Sequence, residues 1–192
     1  MPRPPKGPLL SRATAQHGQS MVEFALSSVV LLLLVGGLVD IGRAIYVTET
    51  LSNAAREGAR HAIWFDSSHQ SNPWLDDAEI KATVDAELAT ISLPASTLKN
   101  SSTTCPAPTD GNTSHNPPYP NSAYPPSAGQ TWLYICYNNT AGTDYPSTPP
   151  DNAGQQDVNV IVLYSYSPLT PVIGAQFGTF HLAANQHMTV QG

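Results

Sequence analysis

The sequence predicts an α+β protein: a long N-terminal transmembrane helix that continues into an extracytoplasmic domain with a second helix and a small antiparallel β-sheet. Three patterns carry that reading. Residues 21–39 form a nineteen-residue apolar run whose only charge is Glu23. At ~1.5 Å per helical residue such a run nearly matches the ~30 Å of bilayer hydrocarbon. Spacings of three and four then recur through Ile41, Ala44, Ile45, Thr48, Leu51, Ser52, Ala55, Ala59 and Ala62, as one face of a helix requires. Two C-terminal segments instead alternate with a period of two, which marks strands.

The chain opens on a basic segment. Residues 1–18 carry Arg3, Lys6 and Arg12 and no acid, whereas the remainder holds five Lys or Arg against fourteen Asp or Glu, a net charge of −9. A basic flank before an apolar run keeps that end in the cytoplasm, so residues 40–192 are expected outside. The span itself, residues 19–39, includes the block Leu31-Leu32-Leu33-Leu34 and has no amphipathic alternation. A helix apolar all round belongs in lipid or deep inside a large protein, and 192 residues offer no such interior. A secretory signal peptide would have a shorter apolar region, about 7–15 residues, ending at a small-x-small site. Asp40-Ile41-Gly42-Arg43 provides none.

No proline lies between Pro8 and Pro73, so one helix is expected from about residue 20 to residue 64, with 40–64 as the projecting extension. Ala54, Gly58 and Ala62 lie four apart and line one thin face, where another helix backbone can approach closely. Glycine costs ~1 kcal/mol of helix propensity relative to alanine, and close approach accounts for it at Gly58. The approaching element is either the protein's own second helix or a neighbouring subunit. Arg56, Glu57 and Arg60 flank this face, and Glu57 can pair with Arg60 at i, i+3.

After a turn containing Asp66-Ser67-Ser68-His69 and Asn72-Pro73, a second helix is expected over 76–90. Asp76 and Asp77 favour its N-terminus, Ile80, Val84, Leu88 and Ile91 trace its apolar face, and Pro94 closes it. Residues 101–152 change to Pro, Ser, Thr, Asn, Gly and Tyr and read as variable loop, extended where Pro117-Pro118-Tyr119-Pro120 and Tyr124-Pro125-Pro126 occur. The loop tyrosines either pin that loop to the domain or offer a carbohydrate- or partner-binding surface. One short strand interrupts it at 132–137, with apolar residues on both sides and hence both faces partly covered. Strands are expected over 157–190, where Val158, Val160, Val162, Tyr164 and Tyr166 share one face, as do Phe180, Leu182, Ala184, Met188 and Val190. The connection 169–178 is long for a tight hairpin.

Cys105 and Cys136 both fall in the exported part. An oxidising compartment favours a disulfide between them over two free thiols, and closing that loop adds roughly 3–4 kcal/mol on the chain-entropy model. No phosphate, dinucleotide or zinc motif occurs, so no cofactor and no metal is expected. Asp110-Gly111-Asn112 lacks the remaining acidic positions of a calcium loop. His181 and His187 share a strand face without a neighbouring carboxylate or cysteine in sequence and read as surface residues. Serines are not organised by an elbow or a His/Asp set, so no catalytic residues are expected and the chain reads as a non-enzyme. Nothing supplies a basic surface for nucleic acid.

Three ordered segments then carry a resemblance: Gly18-Gln19-Ser20-Met21-Val22-Glu23-Phe24-Ala25, Asp40-Ile41-Gly42-Arg43-Ala44 and Asn53-Ala54-Ala55-Arg56-Glu57-Gly58-Ala59-Arg60. Over residues 16–62 the chain resembles the TadE/TadG-like minor pilins, or pseudopilins, of bacterial tight-adherence (Flp, type IVb) pili. The resemblance implies that residues 1–18 are a prepilin-type leader, removed by a prepilin peptidase cutting between Gly18 and Gln19. Glu23 would become the fifth residue of the mature chain, with a role in recognition or assembly. Phe24 stands where major Flp pilins commonly carry tyrosine, which implies a minor component, and the modest length favours the TadE-like branch. The implied location is the bacterial inner membrane, single-pass, with a cytoplasmic N-terminus, and possible entry into the pilus. The implied partners are the peptidase, other pilins, the tight-adherence secretion machinery and the lipid bilayer. The competing expectation is an uncleaved single-pass binding or sensor domain.

Overall fold

The computed structural model describes residues 13–63, 76–99, 105–106, 119–137, 140–141 and 157–189. Residue contacts divide the chain into two units, Met1–Val39 and Asp40–Gly192. The basic segment up to residue 12, the turn at 64–75, the Pro117-Pro118 pair, Asp110-Gly111-Asn112 and Val190 lie outside the described residues.

The first unit is described entirely by helix α1, Ala13–Ala62, which also supplies the first element of the second unit. The helix starts earlier than the expected residue 20. Residues 13–17 contain neither proline nor glycine, so nothing stops helical hydrogen bonding from propagating back through Gly18. Phe24, Leu26, Leu32 and Leu38 are all exposed. This is one helix long and apolar enough to cross a membrane.

The second unit is α+β. After α1 come α2 (Asp77–Ala89), β1 (Thr97–Leu98), a single 3₁₀ turn at Asn121–Ala123, and β2 (Thr131–Tyr137). Then follow β3 (Thr140–Ala141), β4 (Asp157–Tyr166), α3 (Pro171–Phe177) and β5 (Phe180–Thr189). The sheet order is β1-β2-β4-β5, with β3 paired to the end of β2. β2, β4 and β5 are antiparallel neighbours, with Leu133 opposite Val162 and Val162 opposite Ala184. β1 runs parallel to β2, so the sheet is mixed rather than wholly antiparallel. Its two residues follow Pro94 and carry no alternation long enough to read as a strand.

Strand alternation puts two apolar sets on opposite faces. One face, with Leu133, Ile135, Val158, Val160, Val162, Tyr164, Tyr166 and Ala184, packs with the buried residues of α1 and α2. The other, with Tyr134, Cys136, Ile161, Leu163 and Ala183, is covered by Tyr119, Ala123 and Tyr124 of the loop. The helical face of α1 that enters the core is Val47, Leu51, Ala54, Ala55, Ala59 and Ala62. Ile41 and Ile45, expected on that face, are exposed. The buried stripe is turned towards Val47 and Leu51, and Ala44 is only partly covered. The connection 169–178 is not plain loop: Pro171 at the first turn, with its φ already helical, starts the seven-residue α3.

Candidate functional site

Gly18, Gln19, Glu23 and Phe24 all lie on α1. The backbone at Gly18 is helical, and a Cβ placed there would meet nothing within 4 Å. Gln19 and Glu23 are one helical turn apart, and the Gln19 Nε2 donates to Glu23 Oε1 at 3.1 Å. The two residues therefore share a helix face. Phe24 and its apolar neighbours point outward around them.

One residue beyond the apolar run, Asp40 is only 5% exposed. Its Oδ1 accepts the Leu169 N–H at 2.7 Å and its Oδ2 the Thr170 N–H at 3.0 Å. Its backbone carbonyl accepts the Tyr166 hydroxyl at 3.1 Å. The carboxyl is held below its ordinary value by hydrogen bonding from the Thr170 side chain first, then by the two N–H groups and the Arg43 charge, against the opposing effect of burial. Arg43 in turn lies 5.4 Å from the centroid of the Tyr166 ring. A charge that would be costly to bury unpaired is thus engaged through both oxygens. Asp40 belongs to a motif quoted above, but its partners are 129 and 130 residues away. No local pattern announces them.

The small-residue face meets the protein's own core. Ala54 and Ala62 are fully buried, and a Cβ on Gly58 would sit 2.7 Å from Val84 Cγ2, 3.4 Å from Val160 Cγ1 and 3.5 Å from Ile80 Cγ2. Of the two occupants left open, the internal second helix is the one in contact. Glu57 and Arg60 approach to 3.9 Å on the exposed side, a surface pair of little energetic consequence. Farther out, His61 Nε2 lies 3.4 Å from Glu79 Oε2 and joins α1 to the start of α2.

On the opposite sheet face, Cys105 and Cys136 form a disulfide with 6.1 Å between Cα atoms. Tyr134 donates its hydroxyl to the Ala123 carbonyl at 2.9 Å, and Ser165 donates to the Pro125 carbonyl at 2.7 Å. Burial raises the pKa of the Tyr119 hydroxyl strongly, with Tyr124 adding to it, and burial also raises those of Tyr124 and Tyr134. These described tyrosines pin the loop rather than display it. His181 is exposed and stacks on Tyr124 with ring centroids 4.2 Å apart. Among the described residues no group of three or more His, Cys, Asp or Glu is placed to hold a metal ion.

A family model described as TadE-like protein matches residues 18–60. The match starts at the glycine that ends the basic segment, covers the apolar run and the Asp40 motif, and ends inside the small-residue face. No curated protein and no solved structure matches the chain.

Proposed function

We propose that this chain, TadE-like over residues 18–60, is a membrane-anchored minor pilin or pseudopilin that takes part in assembling tight-adherence pili. The role is structural. The observation that carries the reading is the segment 18–39: a glycine, a lone glutamate five residues later, then helix with apolar side chains exposed all round. Helix apolar on every side and uncovered by its own domain requires lipid or other apolar helices.

In this reading residues 1–18 stay in the cytoplasm, 19–39 cross the inner membrane and 40–192 lie outside. A prepilin peptidase removes the leader after Gly18. The helix is continuous there, so the enzyme has to unwind a turn, and glycine weakens that turn by ~1 kcal/mol relative to alanine. Cleavage creates a cationic amine on Gln19, one turn from Glu23 on the same helix face. A carboxylate within an apolar span costs a few kcal/mol without a partner. The new amine, on its own chain or on a neighbouring pilin, supplies one. Apolar contact then drives association and the amine–carboxylate pair sets its register. An uncleaved sensor or binding domain would share the anchor but leave Gly18 and Glu23 without a task.

The test is Glu23→Ala in cells that build the pili. Membrane insertion should persist, because the change makes the span more apolar, while leader removal or surface piliation is lost. Wild-type processing together with wild-type piliation would refute the role given to Glu23.

A further inference from the structure

We propose that the turn carrying α3 is a second, interfacial membrane contact, lying in the headgroup layer beside the point where α1 leaves the bilayer. The inference rests on the reading that residues 19–39 span the membrane, and it adds a lipid-binding surface to the outer domain.

Four observations converge on it. Asp40, the first residue after the apolar run, binds the backbone of Leu169 and Thr170 through both carboxylate oxygens. The start of α3 is therefore tied to the membrane-proximal end of its own domain. The turn is apolar and outward-facing: Leu169 is 62% exposed, Val172 54% and Phe177 69%, and α3 has no buried residue at all. It is also free of charge, since residues 158–192 contain no Asp, Glu, Lys or Arg. An exposed loop in water is ordinarily polar, and uncovered apolar clusters mark a contact surface. Finally, Ile41, Ile45 and Tyr46 remain exposed on α1 just past the span, continuing an apolar surface into the zone where amphipathic aromatics settle. Lipid is the occupant that fits an apolar, uncharged turn held at this level. The Asp40 clasp serves it by engaging both oxygens of the carboxylate nearest the span.

The measurement is spin-label accessibility on the full chain in phosphatidylcholine/phosphatidylglycerol vesicles. Single cysteines replace Val172, Phe177, Leu32 and Ala78 in turn; all four side chains are exposed, and the native cysteines are engaged in their disulfide. Labels at 172 and 177 should be reached by oxygen more readily than by a water-soluble nickel chelate, giving a positive depth value smaller than that at 32. The label at 78, at the start of α2, should show the reverse preference. Full nickel accessibility at 172 and 177, with 32 still deep, would overturn the inference and leave the anchor standing. Shielding of 172 and 177 from both reagents would mean a protein partner covers the turn and would equally overturn it. A water-accessible label at 32 would instead refute the membrane anchor itself.

Discussion

Asp40 and Gly58 show how single residues fix the packing within the second unit. The Asp40 carboxyl, lowered from its ordinary value of 3.8 by Thr170, by two N–H donors and by Arg43, stabilises the fold in its charged form. A depressed folded-state pKa gives stability that is complete above the unfolded value and is lost as pH falls through the folded one. Thermal melts of the full chain in detergent should therefore place Asp40→Asn below wild type near neutrality, with the gap closing under acid as pH drops below the ordinary carboxylate range. A gap that stays constant into acid would contradict the clasp. At Gly58 the constraint is steric. Overpacking costs about 1–3 kcal/mol and alanine regains ~1 kcal/mol of helix propensity, so Gly58→Ala should be destabilising by about 1 kcal/mol net. Val84→Ala removes the methyl group in the way. The double substitution should then be better than additive by about 1 kcal/mol, as expected for residues in contact. Strict additivity would mean that the two side chains do not compete for the same space.

Among the elements, α2 was legible almost to its ends: 76–90 expected, Asp77–Ala89 observed, with Asp76 capping through Oδ1 to the Ala78 N–H at 2.7 Å. Its C-terminus holds a feature that residue type did not advertise. Leu93 N–H reaches the Leu88 carbonyl at 3.1 Å and Ser92 N–H the Ala89 carbonyl at 3.0 Å, the paired bonds of a Schellman motif. Ser92 occupies the left-handed position at φ 59°, where glycine is usual and a Cβ is strained. Ser92→Gly should accordingly raise stability by about 1 kcal/mol, read as a higher midpoint in chemical denaturation; a lower midpoint would contradict this account of the turn. The long strands β4 and β5 were legible because each alternates over ten residues. β1 and α3 were not. The first is two residues whose strand pairing is to a parallel partner more than thirty positions away, and the second is a seven-residue helix with no buried residue.

At the scale of the whole molecule, the readable parts of the candidate site were those set by local chemistry. Gly18, Glu23 and the apolar run announce themselves within about twenty residues, and Ala54, Gly58 and Ala62 within two turns. What those small residues touch was open until the fold placed Val84 and Val160 over Gly58. The joining of Asp40 to Leu169 and Thr170 was invisible for the same reason: it is long-range, between residues whose types suggest nothing in common. The Cys105–Cys136 bridge and the buried tyrosines close the far face of the sheet, so the sheet of the second unit is covered on both faces, while the large apolar side chains of α1 over residues 21–39 are exposed. The central claim is that this bare helix belongs to a processed pilin-like subunit. Intact-mass measurement of the membrane-bound protein tests it most directly. A chain beginning at Gln19 when the prepilin peptidase is present, and retaining Gly18 and the residues before it when the peptidase is deleted, is the predicted result. Retention of the leader in cells with active peptidase and assembled pili would contradict it.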